Sequence, residues 1–143
     1  MKDTRTRLAK LRGINCEGVA AVESETPATE AIYPVGTSIQ FSDKTRLQAQ
    51  FWRLIKEGRP LVSIFDHRQR YGLPAPIDAL RVANDELRGK ELLEAAMDRT
   101  TGDLHFRFDG ELTLEVFNFT AFEIWELTFP DRTSALSNYA LAD

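Results

Sequence analysis

Leu104-His105-Phe106-Arg107-Phe108-Asp109-Gly110-Glu111-Leu112-Thr113-Leu114-Glu115-Val116 decides how this chain is read. Leu104, Phe106 and Phe108 alternate with polar residues, and so do Leu112, Leu114 and Val116, so each run is a strand with one apolar face. Asp109-Gly110 between them is the strongest hairpin signal in the sequence, because glycine accepts the positive φ that a tight two-strand connection requires.

The same pattern stands upstream. Ile39 and Phe41 alternate with Ser38, Gln40 and Ser42, Asp43-Lys44-Thr45 makes the turn, and Leu47, Ala49 and Phe51 alternate with Arg46, Gln48 and Gln50. The alternation fails at Trp52-Arg53-Leu54-Ile55, which implies a bulge or burial on both faces. Further strands are expected over residues 17–22, 61–65, 92–97 and 122–129. Helices are expected over residues 4–11, with Asp3 as cap and Gly13 as stop, and over 77–87, with Pro76 in the first turn and Gly89 at the end. A loop over residues 24–36, punctuated by Pro27, Pro34 and Gly36, reads as the most mobile segment.

Leu11-Arg12-Gly13 and Leu87-Arg88-Gly89 open two series of elements in the same order: helix, strand, hairpin, strand. The expectation is one α+β domain over residues 1–143, mostly antiparallel β with two short helices. Its pseudo-repeated halves, about 1–72 and 73–143, would share one core. About eight short strands are expected, with Phe41, Leu47, Phe51, Leu54, Phe106, Leu112, Leu114, Trp125 and Leu127 in that core. At 143 residues and 43% hydrophobic composition the chain can close such a core without a staple.

Chemistry is sparsely marked. Cys16, His67 and His105 lie far apart, and neither histidine has a ligand-type companion at i+2 or i+4, so neither metal nor cofactor is expected. Cys16 sits beside Glu17, which raises a thiol pKa, and the nucleophile elbow and the glycine-rich phosphate and dinucleotide signatures are all missing. An enzyme is therefore the less favoured reading. A formal charge of −4 is a poor footprint for nucleic acid, and no apolar run is long enough for a bilayer crossing. A single cysteine and a charged beginning without a leader pattern point to the cytoplasm.

Two places stand out. Residues 109–131 hold Asp109, Glu111, Glu115, Glu123, Glu126 and Asp131 with no base, whereas residues 1–13 hold Lys2, Arg5, Arg7, Lys10 and Arg12 against Asp3 alone. Solvated surface is the plain explanation of such runs. Glu111, Glu115 and Glu126 on one exposed sheet face would instead suit a cationic protein partner. The second place is Asp66-His67-Arg68-Gln69-Arg70-Tyr71-Gly72, between the halves. There Asp66, His67, Arg68, Arg70 and Tyr71 could hold an anion or support modest acid–base chemistry, with the 24–36 loop as a lid. Against that stands a plain polar connection, since adjacent side chains on extended backbone point apart. A third reading is a self-associating module, a homodimer paired through exposed apolar strand residues.

The second half, residues 103–112 with Phe122-Glu123-Ile124-Trp125-Glu126-Leu127, resembles small bacterial domains of unknown function in which an Asp-Gly hairpin precedes a strand carrying Glu-x-Trp. Some of these have been proposed as immunity proteins that neutralise toxins. The resemblance covers about forty residues and implies binding without catalysis; it carries over no catalytic residue.

Overall fold

The computed structural model describes residues 4–22, 35–121 and 124–137. It holds two helices, α1 (Thr4–Ala9) and α2 (Ala79–Leu87), and ten strands: β1 (Cys16–Ala21), β2 (Thr37–Phe41), β3 (Arg46–Ala49), β4 (Trp52–Lys56), β5 (Arg59–Ser63), β6 (Leu92–Met97), β7 (Leu104–Phe108), β8 (Leu112–Val116), β9 (Trp125–Thr128) and β10 (Ser134–Leu136). Every pairing is antiparallel, in two five-stranded sheets ordered β1-β2-β3-β9-β10 and β5-β4-β8-β7-β6. The fold is α+β and mostly antiparallel, as the alternating runs require.

The sheets exchange strands. Each takes three consecutive strands from one half of the chain and a two-stranded hairpin from the other. The phase break before Trp52 marks the first exchange: Ala49 and Trp52 are both buried, and in the two residues between them the chain leaves the first sheet for the second. The chain is back in the first sheet at Trp125. The helices follow suit, since α1 packs on β6 and α2 on β1, each covering an edge strand supplied by the other half. The inner faces share one apolar cluster in which the Phe41 ring stacks on Phe106 and Phe108, with centroids 6.1 and 6.2 Å apart.

Leu11-Arg12-Gly13 and Leu87-Arg88-Gly89 meet where the two courses cross. The Gly13 amide donates to the Leu92 carbonyl at 2.8 Å, and the Gly89 amide to the Cys16 carbonyl at 2.7 Å. Cys16 donates to Lys90 at 2.9 Å and Leu92 to Ile14 at 2.6 Å, around an Asn15–Glu91 bridge. Both glycines hold a left-handed backbone, φ 78° and 82°, which carries the chain out of each helix into this ladder. Correspondence continues outward: β1 and β6 shift register at Cys16/Gly18 and Leu92/Glu94, and Trp52 and Trp125 both donate their indole N–H internally, to Thr37 Oγ1 and the Gly102 carbonyl.

Several expectations are corrected. Ten strands stand where about eight were expected, because residues 52–56 form a strand of their own, β4, and a further short strand, β10, follows β9. The 61–65 strand ends at Ser63, whose hydroxyl accepts the Phe65 amide and turns the chain into a 3₁₀ helix, Ile64–Asp66. The second helix begins at Ala79, capped by Asp78, whose side chain accepts the Arg81 amide at 3.1 Å; Ile77 and Pro76 precede it. Phe51 is half-buried and outside the core, whereas the other eight core candidates are buried. Asp3, most of the expected loop over 24–36, and Phe122 and Glu123 lie outside the described residues.

Candidate functional site

The end of the sandwich where the chain crosses between sheets carries a surface the alternation pattern did not announce. The Phe117 amide donates to the Phe51 carbonyl at 2.9 Å on the side of the second sheet, and the Gln50 amide to the Ile124 carbonyl at 3.1 Å on the side of the first. Holding Phe51 and Phe117 together starts a row of four rings. Phe65 stacks on Phe51 at 5.8 Å, Phe51 meets Phe119 at 4.8 Å, and Phe119 stacks on Phe117 at 5.7 Å. Phe65 and Phe119 remain 46% and 57% exposed, more than a ring stacked in a finished core leaves in water.

Among the described residues the exposed large apolar side chains are Leu61, Phe65, Tyr71, Leu73 and Phe119, all on β5, the connection that follows it, or the loop after β8. Apolar exposure concentrated in one region marks an interaction surface more than scattered single residues do. The neighbouring edge is guarded against strand addition, because β5 carries Pro60 and a register shift opposite Leu54/Ile55.

Charged groups border the rings. Arg53 on β4 lies 5.3 Å from the Phe117 centroid and donates through Nε to Glu115 Oε1 at 3.0 Å, while His105 Nδ1 stands 3.6 Å from Glu115 Oε2. Asp103 accepts the Asn118 amide between Phe117 and Phe119 at 2.7 Å. Asp98 accepts the Thr100 and Thr101 amides, and these bonds hold its carboxyl below the usual carboxylate range. Asp66, next to Phe65, accepts from the Ser63 amide and the Tyr71 hydroxyl. Around this end stand the carboxylates of Asp66, Asp98, Asp103 and Glu115 and the guanidiniums of Arg53 and Arg99, with Arg68 and Arg70 on the connection that carries Asp66.

Glu111, Glu115 and Glu126 do not share a face. Glu111 sits in the β7–β8 turn with φ 59°, at the far end of the second sheet; Glu115 lies on the same sheet nearer the rings, neutralised by Arg53; Glu126 is on β9 of the first sheet. Glu126 belongs with the crossing end all the same. It lines a recess of about 300 Å³ with Gln48, Ala49, Gln50, Ile124, Trp125, Leu136, Val22 and Gly36, adjoining Phe51 through Gln50.

The Asp66–Tyr71 connection spends its polar groups on itself. Asp66 caps the 3₁₀ helix, Arg70 donates to the Pro74 carbonyl at 3.2 Å, and the Arg68 and Ile77 amides bond the Ile77 and Gln69 carbonyls at 2.8 Å. His67 Nδ1 accepts the Ala79 amide at 3.1 Å, so the neutral ring helps to start α2; burial lowers its pKa against the raising influence of Asp78. The four recesses described on the surface, on β3–β9, between α1 and β6, beside the β7–β8 turn and beside the β9–β10 turn, have no lining residue between 59 and 78. Cys16 is buried at the crossing ladder, and that burial pushes its thiol up to about 11, which makes it an unreactive group. Among the described residues no three His, Cys, Asp or Glu side chains are grouped to hold a metal, and no helix is long and apolar enough to cross a membrane.

Fold and site together define a two-sheet sandwich with a partly exposed row of aromatic rings at one end. Compared with family models, curated proteins and solved structures, the chain matches none at a significant level.

Proposed function

We propose that this chain is a non-enzymatic protein-binding module that docks a basic partner on the crossing end, in the manner of an immunity-type inhibitor. The observation that carries the reading is the row of four phenylalanines, with Phe65 and Phe119 in water and the carboxylates of Asp66 and Asp103 beside it. Aromatic anchors supply most of the energy at such interfaces, while the surrounding charge selects the partner and speeds encounter. Glu126 and Glu115 retain a part in this reading as border charges. Glu111, at the opposite end of β8, has none.

Panning random peptides against the immobilised chain tests it. The recovered sequences are expected to combine Arg or Lys with aromatic or branched aliphatic residues, and a Phe65→Ser/Phe119→Ser double variant should lose affinity by about thirty-fold, the loss of a central hot spot. Recovery of acidic sequences, or full retention by the double variant, rejects the surface. Light scattering on the same two proteins tests the rival occupant, since a dimer that the double variant breaks would give the rings to a second copy of the chain.

A further inference from the structure

The row of residues across the first sheet has no ion pair where its counterpart on the second has one. On the second sheet Arg53 of β4 pairs with Glu115 of β8, and the two side chains form an ion pair. On the first, Glu126 of β9 pairs with Gln48 of β3 at the corresponding place, the strand supplied by the other half again lying beside the third strand of a meander. Glu126 thus stands where the second sheet has Arg53, and Gln48 where it has Glu115, so the ion pair is replaced by an acid facing a neutral amide. Glu126 is half-buried, and none of the residues lining its recess is Lys, Arg or His.

A carboxylate partly withdrawn from water without a cation is costly unless something supplies one. The rest of the recess says what that would be. Val22, Ile124 and Leu136 give it apolar walls, and the side-chain amides of Gln48 and Gln50 line it beside the carboxylate. A volume of about 300 Å³ is at the small end of ligand sites and suits one extended side chain. Aliphatic walls leading to acceptors match a stem that ends in a donor-only cation. Of the two such groups, guanidinium presents a planar fork to a carboxylate and has N–H groups left for both amides.

We infer that the Glu126 recess is a guanidinium pocket that receives one arginine side chain of the partner. This rests on the protein-binding reading and deepens it: the phenylalanine row supplies the apolar anchor, and the recess on the other side of the Gln50-Phe51 crossing fixes a basic residue next to it. The pocket sets the partner's register on the crossing end, and it prefers arginine to lysine.

The test uses small probes in place of a partner. Propylguanidinium, propylammonium and butyrate are titrated into the isotope-labelled full chain and followed by amide NMR. Propylguanidinium should give saturable shifts at Gln48, Gln50, Glu126 and Leu136, propylammonium weaker ones and butyrate none. Glu126→Gln should weaken propylguanidinium by about ten-fold, the value of one charge-assisted contact, while Phe65→Ser/Phe119→Ser leaves it unchanged. Shifts scattered over the surface, equal response to butyrate, or an unaffected Glu126→Gln variant overturns the pocket. If peptide panning fails while propylguanidinium still binds, the docking reading falls alone; if panning succeeds and Glu126→Gln is silent in both assays, the pocket falls alone.

Discussion

The outer faces of the two sheets occupy corresponding places in the fold and carry different chemistry. On β2 and β3 the outward residues are Ser38, Gln40, Arg46 and Gln48; at the matching places on β7 and β8 stand His105, Arg107, Thr113 and Glu115. Beneath both faces the inward residues are alike, Ile39 and Leu47 against Phe106 and Leu114, all buried. The inward residues are alike while the outward ones differ. Function is therefore sought where corresponding positions differ, at the phenylalanine row and at Glu126, more than where they agree.

The heaviest test of this comparison removes corresponding core residues. Leu47 pairs with Ile39 and Leu127, Leu114 with Phe106 and Leu54, and both leucines are sealed from water. Leu47→Ala and Leu114→Ala should each cost about 2–5 kcal/mol in urea unfolding, with similar slopes, because each opens a cavity in the same shared interior. A large loss for one and almost none for the other would mean that the two sheets do not support each other equally.

The next test is at the crossing ladder. Gly13 and Gly89 have open space where a Cβ would stand, so the strain of an alanine there comes from the positive φ and not from a clash. Gly13→Ala and Gly89→Ala should each destabilise by about 1–2 kcal/mol, measured by the same unfolding. Unequal losses would show which of the two crossings the fold depends on more.

What the sequence disclosed follows from where the information is local. Alternation in residues 37–51 and 104–116 set the two hairpins, and the glycines after Leu11-Arg12 and Leu87-Arg88 set the helix ends, because period and φ are properties of neighbouring residues. Exchange of strands between sheets was not legible, since Ala49 and Trp52 carry no mark that their burial is against different sheets. The phenylalanine row was missed for the same reason: Phe51 continues an apolar alternation, and nothing in the order of residues says that its ring faces Phe65 and Phe119. A hint was there in Phe117-Asn118-Phe119, two aromatics of one parity running past the end of a strand, where no core remains to receive them.

The mildest test concerns how the two helices are tied, and it separates them by pH. His67 is neutral where it accepts the Ala79 amide, and its pKa is lowered in the folded state from an ordinary value of 6.5, chiefly by burial. Its contribution is therefore complete above the ordinary value and is lost as pH falls through the depressed one. At α1, Arg7 stacks over the Phe129 ring at 3.8 Å and donates to Asp131 at 3.1 Å. The Thr133 hydroxyl and amide, and then Arg7, hold the Asp131 carboxyl down at about 2, so that tie is present above the ordinary 3.8 and goes only as pH falls through about 2. An acid titration followed by NMR should move the Ala79 amide first and the Thr133 amide last, with α2 loosening from the connection while α1 still holds the β9–β10 turn. If both amides moved together below about pH 4, in the range of ordinary carboxylates, the histidine would not be the acceptor that starts α2.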